Sequence, residues 1–156
     1  MLFVCTGNTC RSPLAERILK AKMKKKGWRG VSVSSAGTGA IEGVPASEGT
    51  RLAARRMGVS MAGFRAKPVS RQRIARADLV LTMTGSHKTD ILMRWPDAVV
   101  KTYVLSEYTG SGRGPIQDPV GGPDSAYARC AADLSGEIER MLPKLERALA
   151  KLRRRK

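Results

Sequence analysis

The sequence predicts an α/β sandwich: a central, mainly parallel four-stranded sheet flanked by helices in three layers. Two observations carry this. Short apolar segments alternate with helical ones along the whole chain, the pattern that builds parallel sheets covered by helices. The chain's 156 residues suit one core better than two. We take residues 1–152 as a single domain and residues 153–156 as a basic tail.

The elements follow in order. Residues 1–4 are apolar and run into a Gly-Asn pair, a buried strand and then a turn. In "PLAERILKAKMKKK" Leu14, Ile18, Leu19 and Met23 share one helical face, with Ser12 as N-cap, Pro13 at the first helical position and Gly27 as the stop. "VSVSSAG" alternates like a second strand, and "PASEGTRLAARRMG" reads as a helix closed by Gly58. "SRQRIARA" is a short helix, "DLVLTM" a continuous apolar strand, and "GSHKTDILMRW" a helix stopped by Pro96. "AVVKTYVL" is the fourth strand. A long Gly- and Pro-rich loop, "SEYTGSGRGPIQDPVGGPDSA", precedes a final helix from about residue 125 to 151, with Pro143 inside it.

Composition narrows the function. The net charge of +16 draws the chain toward polyanions, although its basic residues are spread along the sequence and suit a solvated surface. No segment has the length or apolarity of a membrane span, and the basic region follows the first apolar run instead of preceding it. A cytoplasmic protein is expected, with no membrane partner. Three cysteines make an odd count, so a disulfide framework is not indicated. His87 is the only histidine, which argues against a Cys/His metal site. In this reading His87 is a solvated residue on a polar helix face. Aromatics are few and scattered, so no stacking platform for nucleic acid is expected.

The chemistry concentrates in "CTGNTCRSP". Cys5 leaves the first strand, five residues intervene, and Arg11 precedes the helix. Ligands of open α/β sheets bind at the carboxyl ends of strands. A loop this short can turn the backbone N–H groups of Thr6, Gly7, Asn8, Thr9, Cys10 and Arg11 inward, and the helix N-terminus adds positive potential. Gly7 loosens the backbone, and Asn8 suits a left-handed position. The planar Arg11 guanidinium can hold two oxygens of a tetrahedral oxyanion. Such a cradle should lower the pKa of a cysteine at its floor, with Ser12 or Thr6 bonding the sulfur.

"VCTGNTCRSPLAE" resembles the signature of the low-molecular-weight protein tyrosine phosphatases. "SSAGT", "ADLVLTM" and "DPVGG" are similar to related segments of that family, so the resemblance covers nearly the whole chain. It implies a metal-independent, cofactor-free phosphatase. Cys5 would be the nucleophile of a phosphocysteine intermediate, with Arg11 and the loop N–H groups holding phosphate. The general acid of the family lies in an Asp-Pro pair, here Asp118 in "QDPVGG", with Asp124 as the alternative if it is not simply the cap of the last helix. Ser35 would bond Asn8. Cys5 and Cys10 would form a reversible protective disulfide, although Cys10 also reads as simple packing. Cys130 is expected to be inert.

The same residues separate substrates. Thr9 stands where the tyrosine phosphatases of the family carry an aliphatic residue, and Val120 stands where they have an aromatic one. "CTGNTCRS" together with Asp-Pro-x-Gly-Gly is similar to the bacterial protein arginine phosphatases. That branch typically has phenylalanine at the Val120 position, and many relatives have histidine where this chain has Phe64. The expected partners are phosphorylated proteins, with inorganic phosphate as product and inhibitor. A tyrosine phosphatase is the alternative. An arsenate reductase would need relay cysteines that "DLVLTMTGSHKTDILM" lacks. A basic module that binds phosphate or nucleic acid without catalysis would leave Cys5 and Asp118 without roles.

Overall fold

The computed structural model describes residues 1–153. Beyond Arg153, the expected basic tail lies outside the described residues. The sheet is made of β1 (Leu2–Cys5), β2 (Ser34–Gly37), β3 (Val80–Thr82) and β4 (Thr102–Val104), in the order β2-β1-β3-β4. All three pairings are parallel: Leu2 faces Ser34 and Val80, and Val80 faces Thr102. The chain leaves β1 for β2 on one side, then crosses to β3 on the other. The sense of winding therefore reverses at β1, and the crevice at such a switch point opens beyond the strand's carboxyl end. Cys5 is the last residue of β1.

Alternation along β1 divides the interior in two. Phe3 and Cys5 point into the larger core, with Leu14, Ile18 and Leu19 of α1 (Arg11–Lys25) and Leu134, Ile138 and Met141 of α6 (Asp124–Arg153). Leu2 and Val4 point into the smaller one, with Ile74 of α3 (Arg71–Arg76) and Ile91 of α4 (Gly85–Arg94). Phe3 is fully buried, and truncating such a residue to alanine costs about 3–5 kcal/mol. The two remaining helices, α2 (Glu48–Arg56) and α5 (Leu105–Thr109), both join the larger core, through Ala53 and Ala54 and through Leu105.

Local chemistry explains most element ends. Gly27, at φ 64°, closes α1, and the Trp28 N–H reaches back to the Met23 carbonyl at 3.0 Å. Lys22, Lys24 and Lys25 occupy the last turn, where positive charge is favoured. Ser47 caps α2 by accepting from the Thr50 N–H, and Ser70 caps α3 by accepting from Arg73.

Several sequence expectations need correction. The fourth strand is only Thr102–Val104, because Pro96–Lys101 turns as a 3-10 helix and leaves Val99 and Val100 exposed. The alternation in "VSVSSAG" does not extend the second strand, which starts at Ser34. Ser12 is not the cap of α1. The helix starts at Arg11, and the Ser12 hydroxyl is engaged elsewhere. Asp124 is the first residue of α6 and lies 3.6 Å from Arg56. The first residues of the long loop form α5, and α6 continues through Pro143.

Candidate active site

The loop between β1 and α1 is closed by short-range contacts. Asn8 is fully buried with φ 52°, the left-handed conformation that Asn tolerates better than most residues. Its side-chain amide donates to the Ser12 hydroxyl at 2.8 Å, and its carbonyl oxygen accepts from the Lys67 N–H at 2.8 Å. The second strand seals the other side: Thr38 N–H donates to the Cys5 carbonyl and Gly39 N–H to the Thr6 carbonyl. Gly37 makes this approach feasible, since a Cβ there would stand 2.3 Å from the Thr6 carbonyl oxygen and 2.9 Å from the Asn8 nitrogen. Among the described residues, none of the backbone N–H groups of residues 7–10 donates to a backbone carbonyl. Apart from the Asn8 N–H, which faces the Cys5 sulfur, the loop therefore holds uncommitted donors next to a helix N-terminus, the arrangement that receives anions.

Cys5 is buried at the floor, its sulfur 2.9 Å from the Ser12 hydroxyl. Ser12 also lies 3.3 Å from the Ala36 carbonyl oxygen on β2. Of the two hydroxyls considered for the sulfur, Ser12 makes the contact and Thr6 turns away. Burial pushes the Cys5 thiol pKa up. The Ser12 hydroxyl, the Ser12 and Asn8 backbone N–H groups and the Arg11 charge pull it down without prevailing. The expectation of a lowered thiol pKa is corrected in this arrangement, because burial of the sulfur outweighs the donors and the Arg11 charge around it.

That carboxylate is Asp118. Arg11 donates to it at 2.8 Å and to the Ile116 carbonyl at 3.2 Å, while the buried Arg11 Nε has no partner among the described residues. Arg11 is buried, whereas the Asp118 side chain is 47% exposed. The other Asp118 oxygen accepts from the Val120 N–H at 3.1 Å, which orients the carboxylate, and the Val120 side chain is exposed. Thr9 is half-buried at the loop rim, and its carbonyl accepts from the Ser47 N–H. The Cys10 sulfur meets the Ser47 hydroxyl at 3.2 Å, and all three cysteines are unpaired thiols. Burial holds Cys130 protonated, its pKa pushed up to about 12.

Two side chains differ from the sequence reading, and a third is missing from it. Ser35 does not bond Asn8. It donates to the buried carboxylate of Glu16 at 2.6 Å, and Ser12 takes its place on Asn8. His87 is buried instead of solvated: its two ring nitrogens bond the Thr6 hydroxyl at 2.8 Å and the Thr84 hydroxyl at 2.9 Å. Burial, reinforced by the Arg11 charge, pushes its pKa down and keeps the imidazole neutral. Tyr127, not singled out from the sequence, lies beside Ser47 and Cys10, and its ring packs on Gly49 so closely that a Cβ there would stand 2.6 Å away. Only its place in the first turn of α6, nine residues past Asp118, hints at that position.

A cavity of about 900 Å³ opens at the opposite, amino edge of the strands, around Met1, Ser34, Leu79 and Lys101. It is remote from the Cys5 loop and is not the site described above.

A Cys-x5-Arg loop at a switch point, with an aspartate on the arginine, is one half of an assignment. The other half is similarity along the chain. The sequence pattern described as low molecular weight phosphotyrosine protein phosphatase matches residues 1–154. The chain belongs to this family. A protein-arginine-phosphatase of Geobacillus stearothermophilus is 39% identical over 146 residues, 94% of this chain and 95% of that one. A low molecular weight protein tyrosine phosphatase of T. tengcongensis superposes with TM-score 0.87 at 40% identity, covering 92% and 97% of the two chains. A YwlE arginine phosphatase with serine in place of cysteine, its active-site serine phosphorylated, superposes with TM-score 0.88 at 31% identity, over 93% and 94%. Among the described residues, no helix is long and apolar enough to cross a membrane.

Proposed function

We propose that this chain is a cysteine-dependent phosphoprotein phosphatase that removes phosphate from phosphoarginine in proteins. The observation that carries the proposal is the placement of Cys5 at the floor of a loop with uncommitted N–H donors, Arg11 and Asp118 joined at its edge. The arginine phosphatases among its relatives and the polar Thr9 at the loop rim support the substrate class. The three unpaired thiols suit a reducing, cytoplasmic setting.

The reaction has two steps. As substrate draws Arg11 off Asp118, the freed carboxylate takes up the Cys5 proton; the thiolate attacks phosphorus, the S–P bond forms, and the bond from phosphorus to the guanidinium nitrogen breaks. Protonated Asp118 gives its proton to that nitrogen, so the arginine leaves as an ordinary guanidinium cation. Water then attacks the phosphocysteine, Asp118 takes its proton, and the S–P bond breaks to release inorganic phosphate. Arg11 must exchange Asp118 for phosphate oxygens as substrate enters. Its fork and the loop N–H groups then meet the charge that spreads over the equatorial oxygens. Losing one such preorganised donor costs about 10²–10³ in rate.

Thr9 is the residue assigned to substrate choice, and Val120 is assigned the same role. The test compares phosphoarginine and phosphotyrosine peptides with wild type and Thr9→Ile. Wild type should prefer phosphoarginine, and Thr9→Ile should move the kcat/KM ratio toward phosphotyrosine. Equal preference of both proteins for phosphotyrosine would remove the arginine assignment and leave the tyrosine phosphatase reading.

A further inference from the structure

We infer that the groove between α2 and the segment returning from it is a docking site for an acidic segment of the substrate protein, flanking the phosphorylated residue. The inference rests on the phosphatase reading above. The groove encloses about 500 Å³ and starts at Pro45 and Ala46. The next residue, Ser47, bonds Thr9 and Cys10 of the catalytic loop. The groove thus begins one residue from the contact that holds the catalytic loop.

The lining defines the occupant. Arg51 and Arg55 stand one helical turn apart on α2, and Arg65 enters from the returning segment. Among the described residues, none of these three arginines pairs with a carboxylate, and no acidic side chain lines the groove. Arg56, their neighbour, differs in being turned toward Asp124. Between the arginines the floor is apolar, built on the buried Met61 and Phe64. Phe64 is the only aromatic residue in the lining, so bases would find no stacking platform. Positive walls over an apolar floor fit a peptide that alternates Glu or Asp with apolar residues.

The experiment uses fluorescein-labelled phosphoarginine and phosphotyrosine peptides with four glutamates or four glutamines on either side of the phosphorylated residue. Their KM is measured by turnover, and the same peptides without phosphate are titrated by anisotropy. The glutamate peptides should show a KM about threefold to tenfold lower than the glutamine ones, an advantage that shrinks as salt rises. Arg55→Glu/Arg65→Glu should lose this advantage, and Arg51→Gln should weaken it. Turnover of p-nitrophenyl phosphate should be unchanged in both. Equal binding of glutamate and glutamine peptides, or an advantage that survives in the double variant, would overturn the site. So would a short RNA that displaces the acidic peptide at tenfold lower concentration, which would assign the groove to nucleic acid. Absence of turnover on every phosphorylated substrate would instead remove the phosphatase reading, and the anisotropy titration would still decide the groove.

Discussion

Gly37→Ala isolates the closure of the phosphate loop from its chemistry, because residue 37 carries no functional group. Its backbone is not in the left-handed region, so alanine adds no torsional strain there. The added Cβ would lie 2.3 Å from the Thr6 carbonyl oxygen, 2.9 Å from the Asn8 nitrogen and 2.8 Å from the Ala40 Cβ. Relieving the first contact means moving β2 and the loop apart by about 1 Å, and misplacement on that scale costs on the order of 10²-fold in rate. Overpacking of this kind costs about 1–3 kcal/mol, and each kcal/mol lowers Tm by about 2–4 °C in a chain of this size. The control is Gly39→Ala, whose Cβ would meet only the Thr6 methyl, at 3.8 Å. The assay is kcat/KM on p-nitrophenyl phosphate beside a thermal melt of each variant. Gly37→Ala should be slow and less stable, and Gly39→Ala near wild type. If Gly37→Ala keeps kcat/KM within twofold of wild type, the loop is not held by β2 and the reasoning fails.

Three further outcomes are expected. Arg11→Lys keeps the charge but loses the planar fork, so kcat should fall about 10²–10³-fold; near-normal kcat would show that charge alone suffices. Removing the carboxylate in Asp118→Ala frees the Arg11 charge for the sulfur, so the pH midpoint for alkylation of Cys5 by iodoacetamide should drop below that of wild type. His87 is held neutral with its folded pKa below the ordinary 6.5, and Arg11, Asp118 and Asp90 are the charges that act on it. The unfolded chain therefore binds more protons than the folded one as pH falls through 6.5. Stability contributed by the neutral ring is present above that pH and declines below it. Urea melts between pH 5 and 7.5 should show a steeper loss for wild type than for His87→Gln, and parallel curves would refute the assignment.

What the sequence revealed about the site depends on how local each cause is. Cys5, Asn8 and Arg11 were legible because a strand end, a left-handed turn and a helix start follow one another within seven residues. The burial of His87 is hidden in the sequence because its helix carries polar neighbours. Only the packing of α4 against the strand ends brings it to Thr6. The partner of Ser35 is hidden in the sequence because the bond spans β2 and α1, and Glu16 gives no sign there of being buried. Val99 and Val100 mimic a strand, but the turn set by Pro96 leaves them facing water. Apolarity reports which side chains could be buried, whereas burial itself is settled by elements far away in the chain.

The Ser12 hydroxyl carries a single hydrogen and stands among three groups. Asn8 donates to it, and the Ala36 carbonyl and the Cys5 sulfur compete for its proton. While Cys5 is a thiol, its own S–H can point at Ser12, and the hydroxyl is free to donate to Ala36. Once Cys5 ionises, the hydrogen swings to the sulfur and the Ala36 carbonyl gives up its side-chain partner while keeping its place in the β1–β2 ladder. The hydroxyl is a two-position rotor geared to the charge on the nucleophile, and its other stop is the backbone of the neighbouring strand. Ionisation at Cys5 is therefore felt one strand away, before any substrate bond is made or broken.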